Sequence, residues 1–141
     1  MKACLTDWFQ NPKDLHLTDP RMTYPFNFEK WKKLSYQHRN TVTYVLKDSD
    51  WIIGMASLSI DNQKKNGHLF HVFIEPGHRN RSYGNKLVQF LERTARNLGM
   101  KTLSLWVAAN NSPAIKLYQS RNFHPSKGAD KNRLKMLKQL I

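Results

Sequence analysis

"EPGHRNRSYGNKL", residues 75–87, follows the apolar run "HLFHVFI" (68–74) and leads into a helical apolar period that begins at Leu87. This stretch decides the fold, because it marks where two-residue alternation gives way to a 3.6-residue period, a strand-to-helix turn. A helix starting near Ser82 leaves its first N–H groups unpaired and aimed back at the turn, where the positive end of the helix dipole lies. Arg79 and Arg81 add full charges, and Gly84 removes a side chain where a bulky anion would press on the backbone. The turn therefore reads as an anion site. It is not a nucleotide-triphosphate loop, which needs Gly followed directly by Lys and then Ser or Thr; Gly84 is followed by Asn85, Lys86 and Leu87. Nor does it carry the three spaced glycines of a dinucleotide fingerprint.

Outward from the turn, "TVTYVLKD" and "WIIGMASLSI" precede the 68–74 run with short turns between them, which predicts three antiparallel strands. On the other side Leu87, Val88, Leu91, Ala95 and Leu98 fall on one helical face. Lys86, Arg93 and Arg96 lie elsewhere, and Gly99 stands where a C-terminal cap belongs. "KTLSLWVAAN" reads as a buried strand. "SPAIKLYQSRN" reads as a helix capped by Asn111 or Ser112 with Pro113 in its first turn, and "RLKMLKQLI" as a closing strand, with a short helix as the alternative. Nearer the N-terminus, Asn27 caps a short amphipathic helix over "FEKWKKLSYQH", with Phe28, Trp31 and Leu34 as its apolar stripe. The first ~25 residues lack periodicity and read as irregular structure tied down by Trp8, Phe9, Tyr24 and Phe26. The order helix, three strands, helix, strand, helix, strand predicts one α/β (α+β) domain over residues 1–141, with a mixed central sheet flanked by helices.

At 141 residues the chain is the size of one domain, and no run approaches the ~18 apolar residues of a membrane span. No membrane partner is expected. "MKACLTDWFQ" lacks a secretory pattern, and Cys4 is the only cysteine, which removes an intramolecular disulfide and any cysteine-based zinc cluster; a cytoplasmic location is expected. The six histidines are scattered with no metal-ligand spacing, so no metal is expected. A formal net charge of +13 fits polyanionic company (nucleic acid, ribosomes, acidic protein or a multiply phosphorylated cofactor) and equally a solubilising surface with no partner. A DNA-reading helix is unsupported, since Arg93 and Arg96 face away from a helix whose other side is core.

Two segments carry a family resemblance. "RNRSYG" resembles the Q/R-x-x-G-x-G/A loop of the GNAT superfamily of N-acetyltransferases, and it follows a strand ending in hydrophobic-x-Pro (Ile74, Glu75, Pro76). Further on, "NSPAIKLYQSRNF" is similar to that family's N-x-x-A-x-x-L-Y-x-x-x-G-F segment, with Asn111, Ala114, Leu117, Tyr118 and Phe123 in place and Asn122 where glycine is usual. The resemblance extends over roughly residues 41–141, with the coenzyme-binding part at about 68–123. It implies that acetyl-CoA is the co-substrate. Its pyrophosphate would be held by the amides of Arg79, Asn80, Arg81, Ser82, Tyr83, Gly84 and Asn85. Its pantetheine arm would meet the backbone of Phe73 and Ile74, together with Asn111, Ala114 and Tyr118. Tyr118 is the implied catalytic residue, giving a hydrogen bond or proton to the departing sulfur.

Ser82 replaces the family's first glycine, which is permissible only if its φ stays below zero. Asn122 tolerates the left-handed conformation that a helix end needs. Trp106 stands where similar ribosomal-protein N-acetyltransferases carry a glutamate. The central strand holds no acid, so the candidates for deprotonating an amine are His68, His71 or water, and a spacing of three puts the two histidines on opposite strand faces. The acceptor is an amine-bearing small molecule or protein, and a homodimer is compatible with this reading. Lys127, Lys131, Arg133, Lys135 and Lys138 form a basic region suited to the coenzyme's 3′-phosphate, a polyanion or solvent. Two further classes stay open: a coenzyme-binding module without catalysis, and a basic nucleic-acid- or ribosome-binding protein.

Overall fold

The computed structural model describes residues 1–37 and 40–140; His38, at the end of the helical run read above, and Ile141, at the end of the closing strand, lie outside the described residues. Three short helices, α1 (Lys2–Trp8), α2 (Pro12–Thr18) and α3 (Phe28–Ser35), precede the strands β1 (Thr41–Asp48), β2 (Trp51–Asp61) and β3 (Asn66–Ile74). A 3₁₀ turn over Pro76–His78 leads to α4 (Tyr83–Asn97). Then come β4 (Thr102–Ala108), α5 (Ser112–Ser120), β5 (His124–Ser126) and β6 (Arg133–Gln139). No helix among the described residues is long and apolar enough to cross a membrane.

The first 25 residues are thus not irregular. Asn11 caps α2 by accepting from the amides of Lys13 and Asp14, and Pro12 sits in the first turn. Trp8 and Phe9 are buried and Phe26 packs against them, whereas Tyr24 is 56% exposed and ties nothing down. Asn27 caps α3 through the Lys30 amide, and Trp31 is buried, as its periodicity requires.

The sheet runs β1-β2-β3-β4-β6-β5, with β3 and β4 parallel at its centre and its other pairs antiparallel. Helices α4 and α5 cover one face through Leu69, Leu87, Val88, Leu91, Leu103, Leu105 and Tyr118. Part of the other face is covered by α1–α3, where Leu5, Trp8, Phe9, Leu15, Met22 and Trp31 pack on Met55 and Phe73. Leu98 is 52% exposed and so leaves the apolar face expected of it; Gly99 with φ +84° already closes α4 there.

Within that first core lies one charge cluster. Glu92 of α4 is 1% exposed and accepts from Arg121 Nε at 3.2 Å and Nη2 at 2.7 Å, while Lys138 Nζ of β6 lies at 3.0 Å. Burial would raise the carboxyl pKa, but the hydrogen bonds from Arg121 and Lys138 outweigh it and hold the group below the ordinary range. This cluster ties α4, the end of α5 and β6 to one another.

Candidate active site

Three features converge where β3 meets β4. The strands pair only from Asn66↔Thr102 to Leu69↔Leu105 and then part, so β3 beyond Leu69 loses its neighbour while β4 continues along β6 to Ala108. The sheet opens there into a wedge edged by β3 backbone from Phe70 to Ile74, a row of peptide groups able to pair with a peptide-like chain. Gly67 sits near the apex, where a Cβ would come within 2.9 Å of Leu103 and 3.1 Å of Leu58.

Second, the turn after β3 ends at the mouth of α4. The Ser82 carbonyl accepts the first intrahelical bond, from the Lys86 amide, so the Tyr83, Gly84 and Asn85 N–H groups are unpaired within the helix, and its first turn contains no acid. Asn80 and Ser82 are both left-handed, with φ +63° and +64°. The expectation that Ser82 keeps φ below zero fails. The chain enters α4 through the left-handed region whatever residue stands there, and serine carries a strain of about 1–2 kcal/mol that glycine would avoid. Gly84 gives closeness of another kind, since a Cβ there would meet Leu117 of α5 at 3.2 Å. Of the two arginines, Arg81 is exposed. Arg79 is engaged by the protein itself, with Nε on the Ile74 carbonyl at 2.8 Å, Nη2 on Asp14 at 3.3 Å and its guanidinium 5.2 Å from the centre of the Phe73 ring. The Asn85 side chain accepts from Arg121 at 3.4 Å.

Asn111 follows the end of β4, where its amide bonds the Ala108 carbonyl, and its side chain caps α5 by accepting from the Ala114 amide at 3.4 Å. Tyr118 is 6% exposed and lies edge-on to Phe123 at 5.7 Å; burial raises its pKa and no hydrogen bond offsets the shift. Asn122 takes φ +68°, the left-handed end expected of it.

Third, a cleft of about 330 Å³ opens on the sheet face opposite α4, between the α2–α3 segment and the strands, lined by Asp19, Arg21, His68, His71, Trp106 and Arg133 among others. His68 and His71 both line it, contrary to the alternation argument. A bulge sets Phe70↔Ser57 and Phe73↔Met55, so His71 and Val72 together oppose Ala56, and His71 takes φ +52°. The inserted residue turns His71 to the same side as His68.

The two histidines differ in use. His71 Nε2 lies 2.7 Å from Asp19 Oδ2, its Nδ1 lies 2.7 Å from Tyr36 Oη, and Trp31 stacks on it at 3.7 Å. Burial would raise the Asp19 pKa, but hydrogen bonds from His71 and Arg21 hold it well below the usual carboxylate range, while burial pushes His71 down and Tyr36 up to about 12. An ionised Asp19 only accepts, so Nε2 carries the proton, Nδ1 accepts from the Tyr36 hydroxyl, and the chain continues to Ser57 and Thr43. Neither nitrogen of His71 is left for a substrate.

His68 bonds Ser104 Oγ through Nδ1 at 2.9 Å, which leaves Nε2 without a partner among the described residues. Burial first, then the charges of Lys135 and Arg21, push its pKa from 6.5 to about 4. Between those values the unfolded chain binds a proton that the folded chain does not, so stability falls as pH drops through that window. Urea unfolding of the parent should lose on the order of 3 kcal/mol from this group between pH 6.5 and 4. His68→Gln should lack that part of the loss, and an unchanged pH slope in the variant would contradict the burial of a neutral imidazole.

Asp19, Arg21 and Tyr36 escaped sequence reading, because they come from segments without a motif and are assembled by the packing of α1–α3. Trp106 and Arg133 are legible as positions, but their stacking at 3.9 Å is not.

A mixed sheet thus opens between two parallel central strands, with a helix mouth beside the opening and a cleft on the opposite face. The comparisons give it a family. The chain belongs to the Acetyltransferase (GNAT) family, whose model matches residues 4–123. An uncharacterized N-acetyltransferase of Methanocaldococcus jannaschii is 26% identical over 99 residues, which is 70% of this chain and 41% of the relative. An IAA acetyltransferase of Azospirillum brasilense is 27% identical over 79 residues, 56% of this chain and 52% of the relative. The chain thus spans about half the length, or less, of these curated relatives. A solved domain from Methanocaldococcus jannaschii shares the fold with TM-score 0.80 at 20% identity, covering 97% of this chain and 90% of that one.

Proposed function

We propose that this chain is an acyl-CoA-dependent N-acetyltransferase that moves an acetyl group from acetyl-CoA to a primary amine. The observation that carries the reading is the β3–β4 wedge lying beside an open helix mouth. The donor set fits the coenzyme: the Tyr83, Gly84 and Asn85 amides and the Arg81 charge suit a diphosphate, and the free edge of β3 suits an amide-bearing arm. Phe73 and Ala114 would flank that arm. The Ile74 carbonyl, already bonded by Arg79, would contribute less than its neighbours. When bound, acetyl-CoA supplies an activated acetyl thioester.

The remaining chemistry belongs to the protein. The wedge joins the two faces of the sheet, so an amine in the cleft approaches from one face while Tyr118 belongs to the other. An alkylammonium must lose its proton before it attacks. The cleft favours that loss: burial and then the charges of Lys135 and Arg21 depress His68, the same charges oppose an ammonium, and the one carboxylate lining the cleft among the described residues, Asp19, is already saturated. The proton leaves through water, for which His68 Nε2, without a partner among the described residues, is an acceptor on the cleft wall, and no strand carboxylate is required. His71 and Tyr36 position this wall. Tyr118, held protonated by burial, donates to the sulfur as the thioester breaks.

Calorimetric titration with acetyl-CoA followed by an amine panel read by free-thiol release tests this. Micromolar binding and amine-dependent thiol release are expected. Binding without turnover of any amine would leave a coenzyme-binding module, and affinity for RNA that falls steeply with salt, with none for acetyl-CoA, would favour the basic-surface alternative.

A further inference from the structure

The acetyltransferase reading leaves the acceptor open, and the charges of the cleft narrow it. This inference rests on that reading. Asp19 is 4% exposed and fully committed: Oδ1 accepts from the Arg21 backbone amide and Nε, both at 3.0 Å, and Oδ2 accepts from Arg21 Nη2 at 2.8 Å and His71 Nε2 at 2.7 Å. No lining carboxylate among the described residues is left to receive an ammonium.

The cations are less fully used. The Arg133 guanidinium lies over the Trp106 ring at 3.9 Å, and its one ion pair, Nε to Asp130 at 3.3 Å, is with an exposed carboxylate whose field solvent screens. Its terminal nitrogens have no partner among the described residues. Lys135, which pairs with Trp106 across β4 and β6, brings its ammonium to 5.6 Å from the same ring. Thr41, also on the cleft wall, buries an Oγ1 that pairs with nothing among the described residues. The cleft therefore holds an aromatic platform with a planar cationic fork on it, an excess of positive charge, and room for a small metabolite.

We propose that the acceptor is a small primary amine that also carries a carboxylate, an amino acid or a close relative. Its carboxylate seats on Arg133, its carbon body lies against Trp106, and its amine faces the β3–β4 wedge. A polyamine, which needs a second carboxylate anchor, is excluded by the same charges. A guanidinium fork accepts a carboxylate in a bidentate pair, so the acid group contributes to binding and not only to steering. The chemistry of transfer is unchanged: the amine nitrogen bonds to the acetyl carbon, the carbon–sulfur bond breaks, and the nitrogen's surplus proton leaves to water.

The test compares monocarboxylate amino acids with their decarboxylated counterparts (tyrosine with tyramine, leucine with 3-methylbutylamine), with spermidine, and with O-phosphoethanolamine, by thiol release at saturating acetyl-CoA. Monocarboxylate amines are expected to give kcat/KM at least about tenfold above their matched carboxylate-free amines, and spermidine to be the poorest. Arg133→Gln should raise KM for the acid at least about tenfold with little change in kcat, and change KM for tyramine far less, with Arg133→Lys intermediate. Arg133 side chains are partly exposed, so the variants should keep the parent melting temperature. Equal or better turnover of tyramine or spermidine overturns the proposal while leaving the acetyltransferase reading intact. So does an Arg133→Gln effect that falls equally on both amines, or a preference for the phosphate ester over every carboxylate. Absence of acetyl-CoA binding overturns both.

Discussion

Tyr118→Phe is expected to lower kcat about 10²-fold while the affinity for acetyl-CoA, measured calorimetrically, stays near that of the parent. The phenol is buried and its pKa is raised by that burial alone, so it stays protonated across the neutral range and acts only as a donor. A thiol with a reference pKa near ~8.5 leaves more readily when its sulfur receives a hydrogen bond or proton. Phenylalanine keeps the ring and its edge-on contact with Phe123, so core packing is preserved and the loss should appear in kcat and not in the melting temperature. Single-turnover thiol release separates the chemical step from product release. A variant that turns over at the parent rate would remove Tyr118 from the chemistry.

The largest stability effect is expected at Glu92. Glu92→Ala leaves Arg121 and Lys138, whose side chains are 22% and 10% exposed, without their shared carboxylate. Uncompensated charge in such a setting costs about 3–5 kcal/mol, a large part of the stability of a single domain. Urea unfolding should show the midpoint falling accordingly. The triple change Glu92→Leu, Arg121→Leu and Lys138→Met should recover much of the loss, because apolar side chains of similar volume need no partner. A loss below about 1 kcal/mol for Glu92→Ala would mean that water reaches the cluster and screens it.

The core of the fold was legible because its signals are local. The alternation of 68–74, the apolar stripe from Leu87, Gly99 at the helix end and the Asn111-Pro113 start each specify an element without reference to distant residues. What escaped is set at a distance. Helices α1 and α2 are each 7 residues long, too short for periodicity to register, and α1 lacks a capping side chain. Glu92 reads as a surface residue until Arg121 and Lys138, far along the chain, are folded onto it. The bulge at His71 is invisible because "HVF" fits either register equally well, and only the pairing of Phe70 with Ser57 and Phe73 with Met55 shows where the extra residue falls. The turn leads into α4 where the change of period put it, but Arg79 proved to be engaged by Asp14, from a segment with no motif. The same absence of motif hid Asp19 and Tyr36.

The short parallel pairing has a mechanical corollary. Among the described residues, the strand pairing between the three-stranded leaf β1-β2-β3 and the leaf β4-β6-β5 consists of four residue pairs, Asn66↔Thr102 to Leu69↔Leu105. The sheet is a book on a narrow spine, and Gly67 lets the two leaves close tightly there. A chain of amides laid between the pages would add rungs to the sheet, so an occupant of the wedge would stiffen the molecule across its spine.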